Sequence, residues 1–166
     1  MRIRVAIGFG LLLAMPAIAA PIEDPLLDHM VGSWHLTGTA AGKPTTHLVT
    51  VRWVLGHQFL EIDEASVEKN PAGQPEYEAR PMIGWDARSD RYVAHWLDNF
   101  GGRYSETLGY ARREPDRLAF TFEYPDGPFH TTFQWDDAKG QWHWRMEQKN
   151  DKGVWESFAD MVMTKD

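Results

Sequence analysis

Asp98 and His95 are the residues best placed to do chemistry, because a carboxylate or imidazole held inside a cavity serves as a general acid or base. Asp98 precedes the glycine-containing segment Asn99-Phe100-Gly101-Gly102-Arg103, and His95 sits among apolar neighbours, with Asp86 and Glu106 nearby. Asp98 or His95 would then support an isomerase-, cyclase- or hydratase-like reaction. Both residues also have quieter roles, which we favour: Asp98 capping a turn and pairing with Arg103 at a rim, and His95 as a buried, hydrogen-bonded structural histidine. No catalytic residue is therefore assigned. His29, His35, His47, His57, His130 and His143 are scattered singly, without the close pairs or acidic companions of common metal sites, so no metal is expected. His35, His130 and His143 also fall on strand faces assigned to solvent. The chain lacks a Gly-x-Ser-x-Gly elbow, a phosphate-binding glycine loop and a dinucleotide fingerprint, which leaves hydrolase and nucleotide readings without a motif.

A second group could bind rather than react. Removing residues 1–19 leaves 20 aromatic side chains, all 8 Trp among them, more than a small core alone requires. An aromatic-lined cavity is one use for the surplus, and Trp34, Trp53, Tyr92, Trp96, Phe120, Phe122, Phe133 and Trp144 are its candidates. From these and the rim carboxylate we take Trp34, Tyr92, Trp96, Asp98, Phe120, Phe122 and Trp144 as the expected ligand-binding set. The partner they suit is a small hydrophobic or amphipathic molecule, and no cofactor is expected.

Positioning these residues is the work of strands. From Arg91 to Asp98 the chain alternates, with Tyr92, Ala94, Trp96 and Asp98 on one face and Val93, His95 and Leu97 on the other. Bulky groups on both faces suit a strand covered on two sides, in a sheet that curls on itself. Charged turns set between aromatic strands recur at Trp85-Asp86-Ala87-Arg88, from Trp135 to Trp142 and from Gln148 to Trp155, and read as hairpins. Strands are expected over residues 33–40, 45–55, 58–68, 77–85, 91–97, 104–111, 117–124, 130–135, 141–148 and 154–163. A short helix precedes them, with Asp24 as N-cap, Pro25 at its first position and Gly32 as the stop. No further helix is expected after Gly32. About ten antiparallel strands in up-and-down order exceed what stays flat, and closure into an all-β barrel removes the exposed edges. A two-sheet sandwich is the main competing architecture.

The first residues carry Arg2 and Arg4, an apolar run from Val5 to Met15, and the small residues Ala17, Ala19 and Ala20. That order reads as a secretory signal cleaved after Ala19, and the apolar run is well short of the ~20 residues that span a bilayer. One domain is expected from this, a single barrel over residues 20–166, periplasmic or secreted, after a cleaved signal peptide over 1–19. The mature chain carries 24 acidic and 15 basic side chains, nine negative overall, which disfavours nucleic acid and anionic membranes and favours a neutral or cationic small molecule. No membrane insertion is expected, and the protein reads as a monomer or weak dimer. Cysteine is absent, so stability rests on packing alone.

The helix running into Val31-Gly32-Ser33-Trp34, followed by Ile83-Gly84-Trp85-Asp86 and then Tyr92-Val93-Ala94-His95-Trp96-Leu97-Asp98, resembles the bacterial family called domain of unknown function 1579. The resemblance covers nearly all of the mature chain and implies a lipocalin-like barrel of the calycin group, with a central ligand cavity. A nearby haem-binding barrel family shares the Gly-x-Trp seen at Gly32-Ser33-Trp34 but uses a histidine close to its C-terminal end. The last strand here, Trp155 to Thr164, contains none, so haem is not expected.

Overall fold

Asp24 starts the first helix by accepting the backbone N–H groups of Leu26 and Leu27 at 3.0 and 3.4 Å, while Pro25 occupies a position that needs no donor. The computed structural model describes residues 20–166, so the expected signal over 1–19 lies outside the described residues. Helix α1, Pro25–Met30, ends on an extended Val31, and Gly32, expected as its stop, instead opens the first strand at φ +136°.

Eleven strands are present among the described residues: β1 (Gly32–Ala40), β2 (Lys43–Val54), β3 (Phe59–Ser66), β4 (Glu78–Ala79), β5 (Met82–Asp86), β6 (Arg91–His95), β7 (Leu108–Ala111), β8 (Arg117–Tyr124), β9 (Gly127–Asp136), β10 (Gln141–Lys149) and β11 (Trp155–Lys165). All pairings are antiparallel between sequence neighbours, except that β3 also pairs with β5, and β1 pairs with β11. The β1–β11 pairing and β2–β3 together close the sheet into a ring, which leaves the barrel without a free edge. β4 and β5 lie in tandem along β3 and form one interrupted stave, so the barrel has ten.

Two local departures from the expected strands have physical causes. The stave at 77–85 breaks at Arg80-Pro81, because proline has no N–H to give the ladder. There the Arg80 N–H turns to Leu97 O at 2.6 Å and Pro81 O accepts from Ile62 N at 3.0 Å. The expected strand at 104–111 begins instead with a second helix, α2 (Gly102–Ser105), and only Leu108–Ala111 is strand. Four residues are too few for a helical period to show in the sequence. The turn is held from outside, by Ser105 O on the His95 ring at 2.7 Å and by Arg103 on Asp126 at 2.6 and 2.9 Å.

Alternation decides which side chains enter the barrel. Tyr92, Ala94 and Trp96 are buried while Val93 and His95 are only partly so, and Trp142, Trp144 and Met146 are buried between more exposed neighbours. At Gly38 the strands β1 and β11 come so close that a Cβ would stand 2.2 Å from Asp160 O and 2.7 Å from Met161 Cα.

Helix α1 stoppers one end. Its buried Leu26, Leu27 and Met30 enter the barrel, and three indoles bind it: Trp34 Nε1 donates to Met30 O at 2.7 Å, Trp53 to Asp28 Oδ1 at 2.8 Å and Trp142 to His29 O at 3.4 Å. The Tyr92 hydroxyl donates to Asp24 Oδ2, which also pairs with Arg113 at 2.9 Å, and Arg113 lies 4.5 Å over the Trp85 ring.

Candidate functional site

The strand ends away from α1 enclose a cavity of about 810 Å³. Its wall comes from the end of β1, the start of β2, the end of β3, the residues after β6, the β8–β9 hairpin, and the facing ends of β10 and β11. Tyr77, Trp96, Phe100, Tyr124, Phe129 and Phe158 supply the aromatic part of this wall. They touch in sequence round the barrel: Tyr77 meets Phe100 with ring centroids 5.6 Å apart, Tyr124 meets Phe129 at 6.1 Å, and Phe129 meets Phe158 at 5.5 Å. Trp96 is clamped from behind by edge contacts to Phe122 and Trp144 and donates Nε1–H to the Tyr77 hydroxyl at 3.1 Å.

A buried ionisable pair sits in the same wall. In β2, His47, Val49 and Val51 point inward, and in β3, Leu60, Ile62, Glu64 and Ser66 do so. The β2–β3 register sets Val49 opposite Glu64 and His47 opposite Ser66, which makes His47 and Glu64 diagonal neighbours on one face. His47 Nδ1 lies 2.5 Å from Glu64 Oε1, and Nε2 lies 2.8 Å from Thr45 Oγ1. Glu64 is 2% exposed, and its second oxygen, Oε2, has no hydrogen-bond partner. Burial pushes the Glu64 carboxyl above its ordinary range, the hydrogen bond and charge of His47 pull it back, and the Asp98 charge raises it again. Burial likewise pushes up the Tyr77 hydroxyl, and it lifts Tyr124 to about 12, with Asp98 adding to both. Both phenols are therefore neutral hydrogen-bonding groups at physiological pH.

Asp98 stands where β6 runs out. Its Oδ1 accepts the Phe100 N–H at 3.0 Å and its carbonyl accepts that of Gly101 at 3.2 Å, so it caps the turn as expected. Burial raises its carboxyl, against the lowering effect of the nearby Phe100 and Gly101 N–H groups. The expected partnership with Arg103 is corrected by the structure, since Arg103 lies on α2 and reaches across to Asp126 at 2.6 Å.

Of the side chains expected to hold a ligand, Trp96 and Asp98 border the cavity. Trp34, Tyr92, Phe120, Phe122 and Trp144 also point into the barrel, but each is at most 1% exposed and none belongs to the cavity wall. The reason is mutual packing. Phe133 stands 4.6 Å from Trp144 and 6.5 Å from Phe120, so these rings fill the middle of the barrel solidly, and Tyr92 is taken up by Asp24. His95, the other acid–base candidate, is on the opposite face of β6, with its ring bonded to Ser105 O.

Sequence reasoning passed over His47, Glu64, Tyr77, Tyr124, Phe129 and Phe158. For the first two the signal was present: each stands in phase with the apolar positions of its strand, where a polar residue is out of place unless paired. Among the described residues no three His, Asp or Glu side chains gather as a metal-holding group.

A family model described as "Protein of unknown function (DUF1579)" matches residues 22–165. No curated protein matches the chain.

Proposed function

Because the chain belongs to the DUF1579 family, whose description carries no chemistry, its activity has to be read from the cavity, and we propose that it is a binding protein for a small hydrophobic or amphipathic molecule. One observation carries this reading: the barrel is filled solidly at the α1 end and hollow at the other, with about 810 Å³ enclosed by aromatic rings and a few polar groups. Ligand sites typically occupy roughly 300–1,000 Å³ and have that mixed lining. An apolar body would lie against Trp96, Tyr77 and Phe129, and a polar end would face His47, Glu64 and Asp98. The leader-like pattern of Arg2, Arg4 and Val5 to Met15 supports an exported setting for this role.

Nile red titration tests the proposal. The wild type should show saturable fluorescence enhancement at one site, and Trp96→Ala should weaken it by about tenfold. Trp96 borders open space on one side, so its removal should destabilise the fold by less than the ~3–5 kcal/mol of a fully packed tryptophan. A Trp96→Ala protein that loses all of that stability, yet whose folded fraction binds Nile red as tightly as the wild type, would move the site away from the cavity.

The His47–Glu64 pair favours one second reading, acid–base chemistry on a bound carbonyl compound, with Glu64 or Asp98 moving the proton. Solvent deuterium entering the α-position of a small ketone with the wild type, but not with Glu64→Gln or not with Asp98→Asn, would support it; equal exchange with the wild type and both variants would end it.

A further inference from the structure

We infer that the ligand of this cavity is an organic cation, an apolar amine whose ammonium group sits at the wall formed by Glu64, Tyr77 and Asp98. The inference rests on the cavity being the binding site and adds the charge of what it takes.

Four observations carry it. The fixed charges of the wall are unbalanced: Glu64, Glu68, Glu76, Asp98 and Asp126 face Lys43 and Lys149, and no arginine lines the cavity. Asp126 has its own partner in Arg103, and Lys149 lies 5.2 Å over the Trp155 ring, outside the cavity wall. Glu64 and Asp98 are the carboxylates deep in the wall, since Glu68 and Glu76 are exposed, and the basic group beside them is His47, on Glu64 Oε1. Glu64 is the decisive member, since it is 2% exposed, has only His47 Nδ1 on Oε1, and leaves Oε2 without a donor. A buried acceptor without a partner is costly, and a ligand that supplies positive charge beside it recovers that cost. Asp98, half-buried and bonded only to backbone N–H groups, stands two strands along, beyond Ala79, which pairs with both residues.

The rings are the fourth observation. Tyr77 and Trp96 meet at the Tyr77 hydroxyl and stand beside these carboxylates, and aromatic faces attract ammonium groups that have shed water. An anion placed there would meet two carboxylates in a low dielectric and find no guanidinium. Repulsion of anions and attraction of cations thus act in the same direction, which makes the ligand's charge the discriminating property.

Three probes of one shape test this by calorimetry at neutral pH: phenylbutylamine, phenylbutanol and phenylbutanoate. The wild type should bind the amine about tenfold tighter than the alcohol, and the acid least. Glu64→Gln should bring the amine-to-alcohol affinity ratio down to about one, and Asp98→Asn should shift the ratio the same way by a smaller factor. Near-ultraviolet circular dichroism reports whether each variant is folded, and Asp98→Asn carries the test if Glu64→Gln is not. An acid that binds as tightly as the amine, or an amine-to-alcohol ratio untouched in the folded variants, overturns the cation. Failure of all three probes and of Nile red overturns the binding reading itself, and the cation with it.

Discussion

Replacing His47 with leucine isolates what the buried pair contributes to stability. His47 and Glu64 have side-chain exposures of 7% and 1%, and the substitution leaves both Glu64 oxygens without a donor. Breaking such a pair by removing one partner costs ~3–5 kcal/mol when the orphan must stay charged. Glu64 has an escape, because it can take up a proton instead. Starting from its ordinary value of 4.5, protonation costs roughly 3 kcal/mol at pH 7 and less than about 1 kcal/mol at pH 5. That escape caps the loss, so His47→Leu should lower the unfolding free energy by about 3 kcal/mol near pH 7 and by less than ~1 kcal/mol near pH 5. The sign follows from the loss of His47: its hydrogen bond and charge pull the raised Glu64 carboxyl back, so without them the carboxyl is raised further, the variant binds the extra proton at higher pH, and the deficit grows as pH rises through that window. Urea unfolding of both proteins across that pH range reads the difference directly. A deficit below ~1 kcal/mol at pH 7, or one that does not change with pH, would refute the buried-pair account. The double variant His47→Leu/Glu64→Met removes both polar partners and should match or exceed the wild type in stability.

Two further substitutions test the rest of the barrel. Gly38→Ala puts a methyl group against backbone atoms of β11 that cannot step aside, and should cost about 3 kcal/mol in urea unfolding; full wild-type stability would mean that β1 and β11 are farther apart than described. Tyr92→Phe removes the hydroxyl from Asp24 at the stoppered end, and should cost about 2 kcal/mol while Nile red affinity stays within about twofold of the wild type; a large affinity loss would place Tyr92 in the site.

Period-two alternation made the barrel legible, because an inward Leu, Phe or Trp at every second position is the same signal in every strand. It also set Tyr92, Trp96 and Asp98 on the inward face. Alternation says which face, and nothing about depth. Phe120 and Trp144 lie where rings pack on every side, whereas Trp96, which meets Phe122 and Trp144 on one side only, and Asp98 border the cavity, and that difference exists only after the strands are staggered round the barrel. The His47–Glu64 pair was hidden for a related reason. Seventeen positions separate its members, and only the β2–β3 register, fixed by the turn between Val54 and Phe59, brings them within 2.5 Å. Arg103 and Asp126, 23 positions apart, were hidden in the same way behind the nearer Asp98.

The stopper at the α1 end has a kinetic consequence. A vessel open at both ends can pass its contents along; a vessel closed at one end can only exchange them, so whatever enters leaves by the same route. Residence time is then set at the mouth, where Phe100, 65% exposed, and Tyr104 sit on the segment between β6 and β7. Narrowing or widening that mouth changes arrival and departure rates together and leaves the equilibrium alone, whereas changing the inner wall alters departure almost exclusively. For the ligand proposed above, a change at the mouth would thus alter retention without altering affinity, whereas a change in the inner wall would alter both together.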